Sequence, residues 1–325
     1  MANYTRPLML HHVVEVLHKC KIEKSIRSLN IGSTNLRCIQ TTSTRWNEPV
    51  KLAYTSYEGM NSQKMSPSTM MTPIIIQHGL LGSRKNWASL SKAIHSKTGR
   101  KVIVPDARNH GDSPHSNNLD YEVLSQDIMK LMEDLQIPKA TMVGHSMGGR
   151  AMMKLALTNP SLVDRLVVVD ISPVNVSPGA QAMTEFLTVM KDIDLGDQLK
   201  RATARKIVDE KLQVVVKDTL LRQFLLTNLV EDNGKFRWRV NLKSIIQNLP
   251  NIIGHFPLKS EEYHGPTLFI GGAKSDYIKP TDHEVIREIF PDAQFQYIPD
   301  AGHWVHSEKP GQFLEIVLKF MHEKD

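Results

Sequence analysis

From residue 48 onward the chain alternates between two apolar patterns. One consists of short, continuously apolar runs bounded by turn residues: "PIIIQ", "KVIVPD", "ATMVG", "RLVVVD", "PTLFIGG" and "AQFQYIPD". The other consists of longer segments with helical spacing, such as "NWASLSKAIHSK", "YEVLSQDIMKLMEDLQ" and "AMMKLALTNP". Strands that are apolar throughout must be covered on both faces, so this alternation predicts an α/β fold with a mostly parallel central sheet between helices. Ahead of it, "PVKLAYTSYE" reads as a first strand pair, and the Met- and Ser-rich "MNSQKMSPSTMMT" as an exposed loop. The rhythm breaks over 177–262, where the pattern turns helical throughout ("MTEFLTVMKDI", "LKRATARKIVDEKLQVVV", "TLLRQFLLTNLV") before a strand returns at Pro266. Helices inserted between two sheet strands predict a cap over the C-terminal strand ends. The predicted core is therefore 48–176 with 263–325, and the cap is 177–262.

Composition changes this picture in one place. With 325 residues, 41% of them hydrophobic, the chain can bury a large core, and no apolar run approaches the ~20 residues that cross a bilayer. The net charge of +6 is concentrated at the start: residues 1–46 carry seven Lys and Arg against Glu15 and Glu23, leaving the body almost neutral. A nucleic-acid-binding body is therefore not expected. The leader is acid-poor, has a semi-amphipathic run from His12 to His18, and places Arg37 ahead of small hydroxylated residues. That is the composition of a mitochondrial transit peptide, whereas a secretory signal would carry a continuous apolar stretch. Both cysteines, Cys20 and Cys38, fall inside it, so the body is left without disulfide, thiolate ligand or thiol nucleophile.

The chemistry is concentrated in "VGHSMGG", Val143–Gly149, which matches the spacing of a nucleophile elbow. A buried strand ends at Gly144 and a helix starts just after Gly149, which makes Ser146 the candidate nucleophile, with a helix N-terminus behind it to favour an oxyanion. A serine hydroxyl needs a base. His303, in the loop after the last strand, is the candidate; His306 reads as a helix-flank residue, His283 as helical, and His264 as lying at the wrong end of the sheet. Two acids compete: Asp170, closing "RLVVVD", and Asp276, in the loop after "PTLFIGG"; Asp300 reads as structural. The loop "HGLLG" after "PIIIQ" offers the backbone N–H of Leu80 as one oxyanion donor, with Met147 N–H as the other, and His78 ordering the loop. No metal or organic cofactor is expected.

Taken together, "HGLLGSRKNW", "DARNHGDSPHS", "VGHSMGG", "VVVDISPV", "RQFLLTNL", "WRVNL" and "DAGHW" resemble the alpha/beta-hydrolase domain-containing protein 11 family of animals and the small bacterial esterases related to it, over about residues 48–320. The resemblance implies the alpha/beta-hydrolase fold and a serine ester hydrolase, of carboxylesterase or acylglycerol lipase type, acting on small acyl-ester or lipid substrates. It also implies a mitochondrial, matrix location and an association with the 2-oxoglutarate dehydrogenase complex. In the related esterases the aspartate after the "RLVVV"-type strand serves as acid and a serine stands where Ser275 stands, which favours Asp170 and leaves Asp276 as the alternative. Leu220, Leu221, Phe224 and Leu225 form an apolar stripe able to line an acyl tunnel, though such stripes more often belong to ordinary core. Two other readings stay open: a thioesterase or amidase using the same triad, and a matrix binding protein that holds a partner enzyme.

Overall fold

A computed structural model describes residues 48–59, 71–176, 179–195, 199–257 and 261–322. The leader, with Cys20 and Cys38, and most of the Met- and Ser-rich loop lie outside the described residues. All described residues belong to one unit, Arg45–Asp325.

The chain runs β1 (Tyr54–Tyr57), β2 (Ile74–Gln77), α1 (Ala88–Thr98), β3 (Val102–Pro105), α2 (Tyr121–Asp134), β4 (Ala140–His145), α3 (Met147–Thr158) and β5 (Val163–Val169). There follow α4 (Ala180–Asp192), α5 (Arg201–Leu212), α6 (Thr219–Leu226), β6 (Leu229–Asp232), β7 (Lys235–Trp238) and α7 (Leu242–Ile253). The chain then returns to the sheet through β8 (Thr267–Gly272), α8 (His283–Arg287), β9 (Ala293–Ile298), α9 (Val305–Glu308) and α10 (Pro310–His322). Seven strands form one sheet in the order β1-β3-β2-β4-β5-β8-β9, parallel except for the β1–β3 pair. This is the predicted α/β architecture.

The apolar runs are explained by the two cores they serve. Along β2, Ile75 joins one buried cluster, while Ile74 and Ile76 join the other. Along β5, Val168 takes the first side and Val167 and Val169 the second. Successive side chains point to opposite faces of a strand, so a strand between two cores has no polar position to spare. The first core receives α2 and α3, through residues such as Leu124, Ile128, Met152 and Leu155. The second receives α1 and α10, through Leu90, Ile94, Phe313 and Val317. Helix α3 is buried along nearly its whole length, which explains why "MGGRAMMKLALT" is apolar almost all round.

Two sequence expectations are corrected. "PVKLAYTSYE" supplies a single strand, β1, whose antiparallel partner is the distant β3. The insertion between β5 and β8 is not helical throughout, because β6 and β7 form a hairpin within it. Its turn is Asn233-Gly234, with φ of 51° and 77°. Positive φ at both positions suits a two-residue turn that matches strand twist, and Asn-Gly is its usual sequence. The signal was present, but it lay beside a stretch of strong helical spacing.

Candidate active site

Ser146 stands between the end of β4 and the start of α3, with φ 53° and ψ −119°. Such a backbone is strained for a residue with a side chain, at a cost on the order of 1–3 kcal/mol, and its neighbours over-determine it. A Cβ on Gly144 would lie 2.3 Å from the carbonyl oxygen of Gly148, and one on Gly148 would lie 2.5 Å from that of Gln77. Only hydrogen fits at either position, so the strand and helix can pack closely enough to push the serine outward. Ser146 N–H donates to Val169 O at 3.0 Å, tying the elbow to β5.

The loop after β9 brings His303 to this point. Its Nε2 lies 3.1 Å from Ser146 Oγ and its Nδ1 lies 2.8 Å from Asp170 Oδ2. A carboxylate only accepts, so Nδ1 carries the ring proton and Nε2 is left bare to accept from the serine hydroxyl. Asp170 directly follows β5, with φ 51°, and is completely buried. Its Oδ1 accepts Gly272 N–H at 2.8 Å, and its Oδ2 also accepts the hydroxyl of Ser275. Three donors replace the water this buried carboxylate has lost. Tyr277 stacks on the His303 ring at 3.7 Å.

The second acid lies elsewhere. Asp276 has a side chain 73% exposed and pairs with Lys279 at 2.9 Å. Asp300 pairs with Lys274 at 2.8 Å on the surface. His264 is exposed beside Glu262, and His283 sits in α8. His306 lies in the first turn of α9, buried and stacked on Trp87 at 4.2 Å.

His78 orders the loop that carries Leu80. Its Nε2 accepts Ala107 N–H at 3.0 Å, so Nδ1 carries the proton and donates to Gly79 O at 2.8 Å. Burial pushes its pKa down to about 4, which keeps this ring neutral. Gly79 O also accepts Gly82 N–H, at 3.0 Å. The peptide joining Gly79 to Leu80 is planar and trans, so fixing its carbonyl fixes Leu80 N–H in the opposite direction. Helix α3 leaves the N–H groups of its first turn, Met147 included, without intrahelical partners.

His145 was not legible as a site residue. Its Nε2–H donates to the backbone carbonyl of His303 at 2.9 Å, and a Cβ on Gly79 would meet its Nδ1 at 2.8 Å. The ring thus packs between the loop of Leu80 and the loop of His303. No periodicity marks such a role. The position next to Ser146 was the one available hint.

A cavity of about 380 Å³ opens above Ser146 and His303. Met183 and Phe186 of α4, Leu221, Phe224 and Leu225 of α6, and Leu80 supply apolar wall. Three members of the α6 stripe therefore face the cavity, while Leu220 is 76% exposed. Among the described residues no group of His, Cys, Asp and Glu is arranged to hold a metal ion, and no helix is long and apolar enough to cross a membrane.

Comparison with known proteins agrees with this fold. The model of the alpha/beta hydrolase fold family matches residues 72–310. The sn-1-specific diacylglycerol lipase ABHD11 of Mus musculus is 46% identical, over 84% of this chain and 86% of its own. The protein of the same name from Danio rerio is 41% identical, over 94% and 93%. Esterase YbfF of Escherichia coli is 31% identical, over 78% and 94%. Among solved structures, a marine microorganism esterase superposes with a TM-score of 0.75 at 33% identity, covering 83% of this chain and 99% of that one.

Proposed function

The chain belongs to the alpha/beta-hydrolase family and, within it, to the ABHD11 group, and from that premise we propose that it cleaves acyl esters by two-step transfer through Ser146, His303 and Asp170. The hydrogen-bonded line from Asp170 through His303 to Ser146 carries this reading. Nε2 of His303 takes the hydroxyl proton as Ser146 Oγ attacks the ester carbonyl. Asp170 holds the ring in the productive tautomer and stabilises the imidazolium that forms. Leu80 and Met147 N–H groups receive the tetrahedral oxyanion, each such donor being worth about 10²–10³ in turnover. The intermediate collapses as Nε2–H protonates the departing alcohol, and water repeats the sequence on the acyl-serine.

The substrate we propose is an acylglycerol-type ester whose chain lies in the cavity above Ser146. The insertion that supplies its apolar wall acts as a cap. The ABHD11 relatives are named for a diacylglycerol substrate, and an apolar wall suits one, because each buried CH₂ contributes about 0.8 kcal/mol.

The test is hydrolysis of p-nitrophenyl esters from acetate to palmitate. We expect Ser146→Ala to lower turnover by at least about 10⁴-fold. The wild-type profile should fall once the acyl chain outgrows the cavity. Activity that survives the substitution ends the serine mechanism, and inactivity on every ester transfers the site to thioesters or amides.

The basic, acid-poor leader supports a second part of the proposal, delivery to the mitochondrial matrix. An association there with the 2-oxoglutarate dehydrogenase complex follows from the family resemblance. Residues 1–46 fused to a fluorescent reporter should be imported and shortened by isolated mitochondria; a reporter left outside at full length refutes the location.

A further inference from the structure

Three sequence blocks that this chemistry does not use, "DARNHGDSPHS", "RQFLLTNL" and "WRVNL", are joined by hydrogen bonds, and the first two of them reach the loop of Leu80. The residue after Leu80 is Leu81, which is buried and held at φ 61°, a left-handed conformation that costs a leucine about 1–2 kcal/mol. Both of its backbone polar groups are held by buried side chains. Its N–H donates to Nε2 of His110 at 3.1 Å, and its carbonyl accepts Nδ2–H of Asn228 at 2.8 Å.

The two clamps come from different parts of the chain. His110 lies in the loop after β3. Its Nδ1–H donates to Arg108 O at 2.8 Å, which leaves Nε2 bare as the acceptor. Asn228 lies in the insertion, between α6 and β6, and is 3% exposed. Its own carbonyl accepts Arg239 N–H at 2.8 Å across the hairpin. Two residues further on, Asn241 donates its N–H to Asn109 O at 2.9 Å and its side-chain amide to Asn109 Oδ1 at 3.0 Å. Asn109 in turn donates to Ser244 Oγ of α7 at 3.2 Å. The insertion thus grips the loop after β3 and the loop of Leu80 together.

We propose that Asn228, acting with His110, is a positioning residue that holds Leu81 in its left-handed conformation and so keeps Leu80 N–H aimed at the oxyanion. This rests on the ester-hydrolase reading above. The insertion is then a structural part of the oxyanion site, and a lid motion that carried Asn228 away would disassemble that site. His78 fixes the peptide before Leu80, while His110 and Asn228 fix the groups after it. With the Asn228 donor removed, Leu81 O becomes an unpaired buried acceptor beside a strained backbone, and the loop is free to relax.

The test uses the full chain with Asn228→Leu, which keeps the branched heavy-atom skeleton and removes the donor, and Asn228→Ala as a smaller second variant. Each is checked by thermal melting, by kcat and KM on p-nitrophenyl butyrate, and by inhibition with two probes. Butaneboronic acid forms a tetrahedral adduct that occupies the oxyanion position. 1-Hexanol fills the apolar cavity and places no charge there. Loss of a whole oxyanion donor costs about 10²–10³ in turnover, so we expect a misaligned one to lower kcat about tenfold, with KM within about twofold. Boronate inhibition should weaken by the same factor as kcat, and hexanol inhibition should not change. A kcat that stays at the wild-type value overturns the proposal, as does equal weakening of both inhibitors, which indicates a collapsed cavity. Failure of both variants to fold also overturns it, by assigning Asn228 to folding alone. A wild-type protein that neither hydrolyses the ester nor binds the boronate refutes the ester-hydrolase reading itself, which is a different outcome.

Discussion

Asp170→Asn should lower turnover by about 10⁴-fold, the cost of a wrong tautomer in a Ser-His-Asp array. Asp276→Asn should leave turnover within about twofold, because an exposed ion pair contributes little. The contrast comes from surroundings, since both residues are aspartates in loops at strand ends. The Asp170 carboxylate receives three donors: His303 Nδ1–H, Gly272 N–H and the Ser275 hydroxyl. An asparagine there must turn its NH₂ group toward one of them. If that group faces His303, Nδ1 has to become an acceptor, the ring proton moves to Nε2, and Ser146 loses its base. Asp276 faces solvent beside Lys279 and touches neither ring nitrogen of His303. Both variants should be assayed on p-nitrophenyl butyrate after a melting curve shows that they fold. The reverse pattern of activities would move the acid role to Asp276 and leave Asp170 as a structural carboxylate.

Acid should destabilise the protein steeply as the pH falls from about 6.5 to 5. His78, His110, His145 and His306 are all buried, and burial, the largest cause in each case, pushes their pKa values down. The value falls to about 4 for His78, to about 3 for His110 and His306, and well below the ordinary value for His145. The neutral rings therefore contribute their full stability above the unfolded pKa of about 6.5. As pH drops below 6.5 the unfolded chain takes up protons that the folded chain refuses, and stability is lost down to the folded values. Each ring contributes a slope of about 1.4 kcal/mol per pH unit, so His78, His110 and His306 together remove about 6 kcal/mol by pH 5. Buried Asp127, whose pKa is raised chiefly by burial, works in the opposite sense, but it is one group against four. Domains of ordinary stability have about 5–15 kcal/mol in total. Urea unfolding measured from pH 7.5 to 4.5 should show a steep fall between 6.5 and 5, with an uptake of about three to four protons. A flat profile over that window would mean that these rings are solvated or paired in a way that lets them charge.

The fold and the strand–turn–helix around Ser146 were legible because they depend on local rules. Runs such as "PIIIQ" and "RLVVVD" are apolar at every position, which only a two-faced strand requires, and their alternation with helices implies a parallel sheet. "VGHSMGG" was legible for a similar reason: glycines two before and two after a serine answer a steric demand, visible in the 2.3 and 2.5 Å approaches that a Cβ would suffer. Two local signals were misread. "DNGK" marks the β6–β7 turn, yet it lies between "RQFLLTNLV" and "WRVNLKSIIQNL", whose helical spacing dominates any wider window. "PVKLAYTSYE" has the composition of strand, but composition does not say that its partner is β3, about fifty residues on.

Residue types and spacing were therefore enough for the sheet, the strand–turn–helix around Ser146 and the two possible acids, because sterics and solvation act on neighbours in the chain. They could not choose between Asp170 and Asp276, since that choice depends on which carboxylate comes to lie 2.8 Å from a ring 133 residues away. Nor could they reveal that His145 supports the His303 loop, or that Asn228 and His110 grip the two sides of Leu81. Those contacts join segments far apart in sequence, and each partner has an ordinary neighbourhood of its own. A buried polar group must find a partner, but where that partner lies is settled when the chain packs.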